Sequence, residues 1–149
     1  LSFSARKKLA LQFLYGINYL HHMDVLHRDI SYKNILLKKY DFNALILKLS
    51  DFGLAKERSS DFTKTDSEIK GTIVDPALDS FKYYNLNNEI YSIGFILLYI
   101  FTNKKSLPSN NGGIIDIVNK CVERSVSERY TNVEEIIDAI DALGDTNDE

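Results

Sequence analysis

Residues 88–102 constrain this chain more than any other segment. They include Ile90, Ile93, Phe95, Ile96, Leu97, Leu98, Ile100 and Phe101, and the stretch is apolar nearly all round. A helix of that kind offers no face to water, so it belongs in the centre of a domain with other elements packed about it. It falls short of the ~20 apolar residues that cross a bilayer, and no other run comes near that length. Amphipathic partners are present. Over residues 4–22, Leu9, Phe13, Leu14, Ile17 and Leu20 line one face of a long helix, with Ser4 as its N-cap. Two further amphipathic helices are predicted over 114–124 and 132–143. Thr131 or Asn132 caps the second, and Glu134 and Glu135 fall in its first turn, where the helix dipole favours anions.

Strand signals are few. Residues 35–37 and 45–49 are short β-like runs flanking a polar turn at 38–43, in which the Lys38-Lys39 pair is solvated. Residues 57–70 are rich in Ser, Thr, Asp and Lys and read as a loop. Residues 104–113 form a linker with Pro108 and Gly112-Gly113, and 144–149 form an acidic, frayed tail. The expected fold class is mainly α with a small β-hairpin, α+β overall. A chain of 149 residues fits one domain. Its net charge of −3 argues against a generic nucleic-acid or anionic-membrane partner. The single cysteine, Cys121, excludes an internal disulfide framework. It reads as a small core residue and fits a reducing, cytoplasmic compartment. The chain opens at Leu1 with no signal-peptide pattern, and the start reads as a cut inside a longer protein.

The chemistry-bearing residues lie in two short stretches, His27-Arg28-Asp29-Ile30-Ser31-Tyr32-Lys33-Asn34 and Asp51-Phe52-Gly53. The first resembles the catalytic loop of eukaryotic-type protein kinases and the second their magnesium-binding motif. Either alone is a weak signal. Their context adds weight: a helix ending in Tyr19-Leu20-His21, a hairpin between the motifs, a polar loop, Gly71-Thr72, an apolar helix with Tyr91-Ser92-Ile93-Gly94, and Glu128-Arg129-Tyr130-Thr131 near the end. The resemblance covers residues 1–143 and corresponds to the C-terminal lobe. It implies a Ser/Thr-type protein kinase that moves the γ-phosphate of ATP to a protein hydroxyl with magnesium. Asp29 would take the hydroxyl proton. Asn34 and Asp51 would hold the nucleotide-bound magnesium through hard oxygens. Pairing 35–37 with 47–49 brings those two ligands together, and Gly53 supplies the turn that aims Asp51. Lys33 is either a phosphate-binding cation or a solvated loop lysine, since Ser31 stands where Ser/Thr kinases commonly carry lysine. His27 takes a scaffold role. Arg28 would grip a phosphate on an activation loop at Thr63, Thr65 or Ser67.

The sequence departs from that family pattern in several places. It contains no glycine-rich phosphate loop, no strand lysine and no helix glutamate to pair with it, so the N-terminal lobe is absent and the fragment alone should be inactive. After Gly71-Thr72 the segment is about two residues short. Ala77 holds a position where the family has a glutamate paired with the arginine matching Arg129. Asp75 replaces that glutamate, or the pair is lost. Glu89 stands for a central-helix aspartate, and a docking helix is missing after the apolar helix. These departures resemble compact bacterial-type members. The alternatives are a catalytically weak kinase-like interaction module and a small-molecule phosphotransferase.

Overall fold

The computed structural model describes residues 1–51, 73–144 and the backbone of 56–57. Helix α1 (Phe3–His22) buries Leu9, Ala10, Phe13, Leu14 and Ile17. Its cap is Ser2 rather than Ser4. The Ser2 hydroxyl accepts from the Ala5 N–H at 3.2 Å, and Ser4 already lies in the first turn.

Two antiparallel ladders follow. In the hairpin, β2 (Ile35–Lys39) pairs with β3 (Leu45–Leu49), with Ile35 opposite Leu49 and Leu37 opposite Leu47. That is the register expected from the hydrophobic runs. Lys38 and Lys39 are exposed but extend the strand instead of forming the turn, because their ladder partners Ile46 and Leu45 hold them extended. The turn is tighter and later, closed by the Tyr40 N–H on the Ala44 carbonyl at 2.8 Å. Gln12 of α1 fastens the hairpin: its amide donates to the Leu45 carbonyl at 3.2 Å and accepts the Leu47 N–H at 2.8 Å. The second ladder joins β1 (Val25–Leu26) to β4 (Lys56–Glu57), so residue 57 belongs to a strand and not to the start of a loop. Strands of two residues carry no periodicity to read.

Helix α2 (Leu86–Thr102) is the expected central element. Asn88, Glu89, Ile90, Ser92, Ile93, Gly94, Ile96, Leu97 and Leu98 are all buried. It starts earlier than its apolar run because Asn85 and Asn88 form a reciprocal capping box. Helices α3 (Ile114–Cys121) and α4 (Val133–Asp141) end before their patterns do. Side chains from outside each helix take the carbonyls at those ends: Arg129 Nε, six residues on, donates to Glu123 O at 2.8 Å, and the distant Lys7 Nζ donates to Asp141 O at 2.9 Å and Leu143 O at 2.8 Å. Asn132 caps α4 by accepting the Glu135 N–H. Cys121 is fully buried, as a core residue. Among the described residues no helix is long and apolar enough to cross a membrane.

Gly94 sets the approach of α2 to the end of α3. A Cβ there would lie 2.7 Å from Cys121 Cβ and 2.9 Å from Val122 Cγ1. In an open helix, Gly→Ala stabilises by about 1 kcal/mol. Overpacking here costs about 1–3 kcal/mol and reverses the sign. Gly94→Ala is expected to lower the urea midpoint, and an unchanged or raised midpoint would show that the contact relaxes freely.

Candidate active site

The loop of residues 27–34, between β1 and β2, rests on one carboxylate from the central helix. Glu89 Oε1 accepts the His27 N–H at 2.9 Å, and Oε2 accepts the Arg28 N–H at 3.0 Å. Arg28 sits in the left-handed region at φ 70°, which disfavours a side chain unless its surroundings hold it. The same carboxylate meets His21 Nε2 at 2.8 Å and accepts from the Tyr84 hydroxyl at 2.9 Å. Glu89 is 0% exposed. Burial alone would raise its pKa, but the hydrogen bond and charge of His21 and the two main-chain N–H groups outweigh it, so the carboxyl lies below its ordinary range. The Tyr84 phenol is pushed well up by burial and by the Glu89 charge beside it. His21 carries no spacing signal that reveals this role, since α1 meets Glu89 only in the folded chain, whereas Tyr84 lies just five residues before Glu89.

His27 is fully buried and has the expected scaffold role. Its Nδ1 accepts the Asp29 N–H at 3.2 Å, which puts the ring proton on Nε2, 3.0 Å from the Ser50 carbonyl. Ser50 also meets Asn34: its N–H donates to the Asn34 carbonyl at 2.9 Å, and its hydroxyl to the same oxygen at 3.3 Å. Asn34 Nδ2 donates to both the carbonyl and the Oδ2 of Asp29, each at 2.9 Å. Asp29 and Asn34 are thus bonded to each other, and Asp51 is one residue beyond the Ser50 that binds Asn34 and His27. Asp29 is only 4% exposed. From the sequence Asp29 reads as a solvent-accessible loop residue, but the Asn34 amide donates to its carboxylate and its own N–H donates to His27, and together these bonds hold it inward. Asp51 is exposed and left-handed at φ 57°.

The remaining sequence candidates divide. Lys33 is exposed on the 3-10 turn Tyr32–Asn34, and among the described residues it forms no ion pair. Ser31 is buried. The Arg28 guanidinium lies 4.5 Å from the Phe81 ring centre and donates to the Phe81 carbonyl at 3.4 Å. Burial lowers its pKa, partly offset by Tyr84 and Glu89. Phe52, Gly53, Thr63, Thr65, Ser67, Gly71 and Thr72 lie outside the described residues.

A second buried ion pair answers the question left at Ala77. Arg129 grips Asp75 with both guanidinium nitrogens, Nη2 at 2.9 Å from Oδ1 and Nη1 on Oδ2. Asn88 donates to Asp75 Oδ2 at 2.9 Å, and the Ala77 N–H to Oδ1 at 3.0 Å. The pair is therefore retained, with the acid two residues earlier. Burial would raise the Asp75 pKa, but the hydrogen bonds from Arg129, Ala77 and Asn88 and the Arg129 charge hold it below the usual carboxylate range.

The arrangement offers a buried carboxylate beside hard oxygen donors. Among the described residues no group of three His, Cys, Asp or Glu could hold a metal by itself. Residues 1–145 match the protein kinase domain family, and the chain belongs to it. The chain is 35% identical over 133 residues to the LRR receptor-like serine/threonine-protein kinase ER2 of Oryza sativa subsp. japonica, covering 86% of this chain and 13% of that protein. It is 37% identical over 107 residues to the calcium/calmodulin-regulated receptor-like kinase 2 of Arabidopsis thaliana, covering 68% and 23%. It is 33% identical over 102 residues to the serine/threonine-protein kinase BCK1/SLK1/SSP31 of Saccharomyces cerevisiae, covering 66% and 7%. The chain thus spans under a quarter of the length of each of these relatives.

Asp75→Ala strands Arg129 as an uncompensated buried charge and is expected to cost about 3–5 kcal/mol in urea unfolding. The depressed carboxyls also set the acid limit. With folded pKa values below the unfolded ones, Asp75 and Glu89 stabilise fully above about pH 4 and lose that contribution as pH falls through their folded values. Melting temperature should fall steeply below about pH 4, and less steeply in Asp75→Asn. Equal acid slopes in the two proteins would refute the assignment to Asp75.

Proposed function

We propose that this chain is the C-terminal lobe, over residues 1–143, of an ATP- and magnesium-dependent protein kinase of Ser/Thr type, with 144–149 as an acidic tail. The observation that carries the reading is the double hydrogen bond from Asn34 to Asp29, with Ser50 joining that pair to the residue before Asp51. It brings Asp29, Asn34 and the residue before Asp51 together from two separate stretches. The serine/threonine-protein kinase names of the relatives support the same substrate class.

In this reading Asn34 and Asp51 hold magnesium, whose charge neutralises the nucleotide phosphates. Asp29 orients the substrate hydroxyl and accepts its proton as the new O–P bond forms and ADP leaves. The Asn34 bonds fix the Asp29 carboxylate for that step, and Lys33 is the cation nearest in sequence for the transferred phosphate. The sequence has no glycine-rich loop or strand lysine, so the groups that anchor most of the ATP come from outside it and the isolated chain transfers nothing. A cytoplasmic setting is part of the same proposal, since a chain with one cysteine builds no internal disulfide.

Asp29→Asn in the full-length protein is expected to reduce phosphate transfer to a generic protein substrate by about 10²–10⁴-fold while leaving the melting temperature within a few degrees. Asp51→Ala should weaken magnesium–ATP binding by calorimetry. Retained turnover in the first variant would remove Asp29 from the chemistry. A wild-type protein that binds ATP and magnesium without turnover would favour the interaction-module alternative. The reading also makes residues 58–70, after β4, an activation loop, with phosphate at Thr63, Thr65 or Ser67 drawing Arg28 from Phe81. Mass spectrometry of active protein should find phosphate there, and alanine at all three positions should depress activity. Full activity in that triple variant would eliminate the switch.

A further inference from the structure

The loop that carries Asp29 is also touched from the far end of the central helix. The Tyr32 ring packs edge-on against Tyr99 of α2, with centroids 5.3 Å apart and planes at 64°. Lys105, just beyond the Asn103 cap of that helix, reaches back to both rings. Its Nζ lies 4.6 Å from the Tyr32 ring centre and 5.8 Å from that of Tyr99. Aromatic faces hold an ammonium in place without neutralising it. Burial and the neighbouring Tyr99 push the Tyr32 phenol pKa up, so that ring supplies no anion at neutral pH. Among the described residues no carboxylate lies within ion-pair distance of Lys105. Lys33 and Lys104 flank the pair, and all three lysines are exposed. A chain of net charge −3 therefore presents, in Lys105, an exposed cation beside the Asp29 loop with no carboxylate partner among the described residues.

We propose that Lys105 is a specificity-determining residue that receives a carboxylate of the protein substrate near the phosphoacceptor hydroxyl, so that acidic segments are preferred. The proposal rests on the kinase reading above. Its physical basis is charge complementarity from a cation already oriented by two rings, which loses little freedom when an anion arrives. An ion pair at an exposed rim is worth a few-fold in rate, not orders of magnitude.

Full-length protein is assayed on three peptides that share one serine and differ only in flanking Glu, Gln or Lys. The Glu peptide should exceed the Gln peptide in kcat/KM by about fivefold, with the gap shrinking at high salt. Lys105→Arg should keep that order. Lys105→Glu should invert it while leaving kcat on the Gln peptide within about twofold. Fluorescence anisotropy of the same labelled peptides on the unreacted protein should give the same ordering. Equal use and equal binding of the three peptides by the wild type would overturn the proposal. So would a Lys105→Glu variant that loses activity on all three by one factor, which is the mark of a structural latch. Lys105-dependent binding of the Glu peptide with no transfer to any peptide supports this site and overturns the kinase reading instead.

Discussion

Everything at the candidate site hangs from the Glu89 carboxylate. It is a fully buried charged group in the first turn of α2, and four donors from three other parts of the chain converge on it. An unpaired carboxylate at that depth would cost several kcal/mol, so the chain is constrained to bring His21, His27, Arg28 and Tyr84 to it. Meeting that constraint fixes the main chain at residues 27 and 28 and holds Arg28 in its left-handed conformation. Asp29 follows directly. A shorter acid would leave less reach across to α1, and the glutamate arm spans both His21 and the loop.

Helix α2 carries a second anchor one residue earlier. Asn88 shares its side chain between the helix cap and Asp75, so the start of the helix and the Asp75–Arg129 pair are set together. The segment after Gly71-Thr72 is thereby tied to the same rigid element as the Asp29 loop. Moving the acid from position 77 to position 75 accommodates a segment about two residues short while leaving the arginine buried and paired. Gly94, on the same helix, lets the end of α3 close in, and Arg129 then reaches the carbonyl left open at Glu123.

Much of this was legible in the residues. The apolar run named the central helix because burial on every side has no other solution. The hairpin register followed from the two short apolar runs, which face each other across the turn. The two motifs pointed to Asp29, Asn34 and Asp51. Less legible were the limits of the elements. Ser2 rather than Ser4, the early start of α2 and the short α3 and α4 depend on which neighbour takes a terminal carbonyl or amide, and that neighbour is often distant in sequence. The two-residue strands β1 and β4 left no pattern at all.

What the sequence determined by itself is the inventory: one buried helix, amphipathic partners, a hairpin, and two motifs with oxygen-bearing residues that resemble those of protein kinases. Local periodicity and side-chain chemistry suffice for that, because each is a property of a few consecutive residues. Only the tertiary structure decided that Asp29 is buried rather than exposed, that Asp75 and not residue 77 meets Arg129, and that Lys105 lies on Tyr32. Each of these is a choice among partners far apart in the chain. The choice is settled by the cost of leaving a charge or hydrogen-bonding group unmatched once the core has closed.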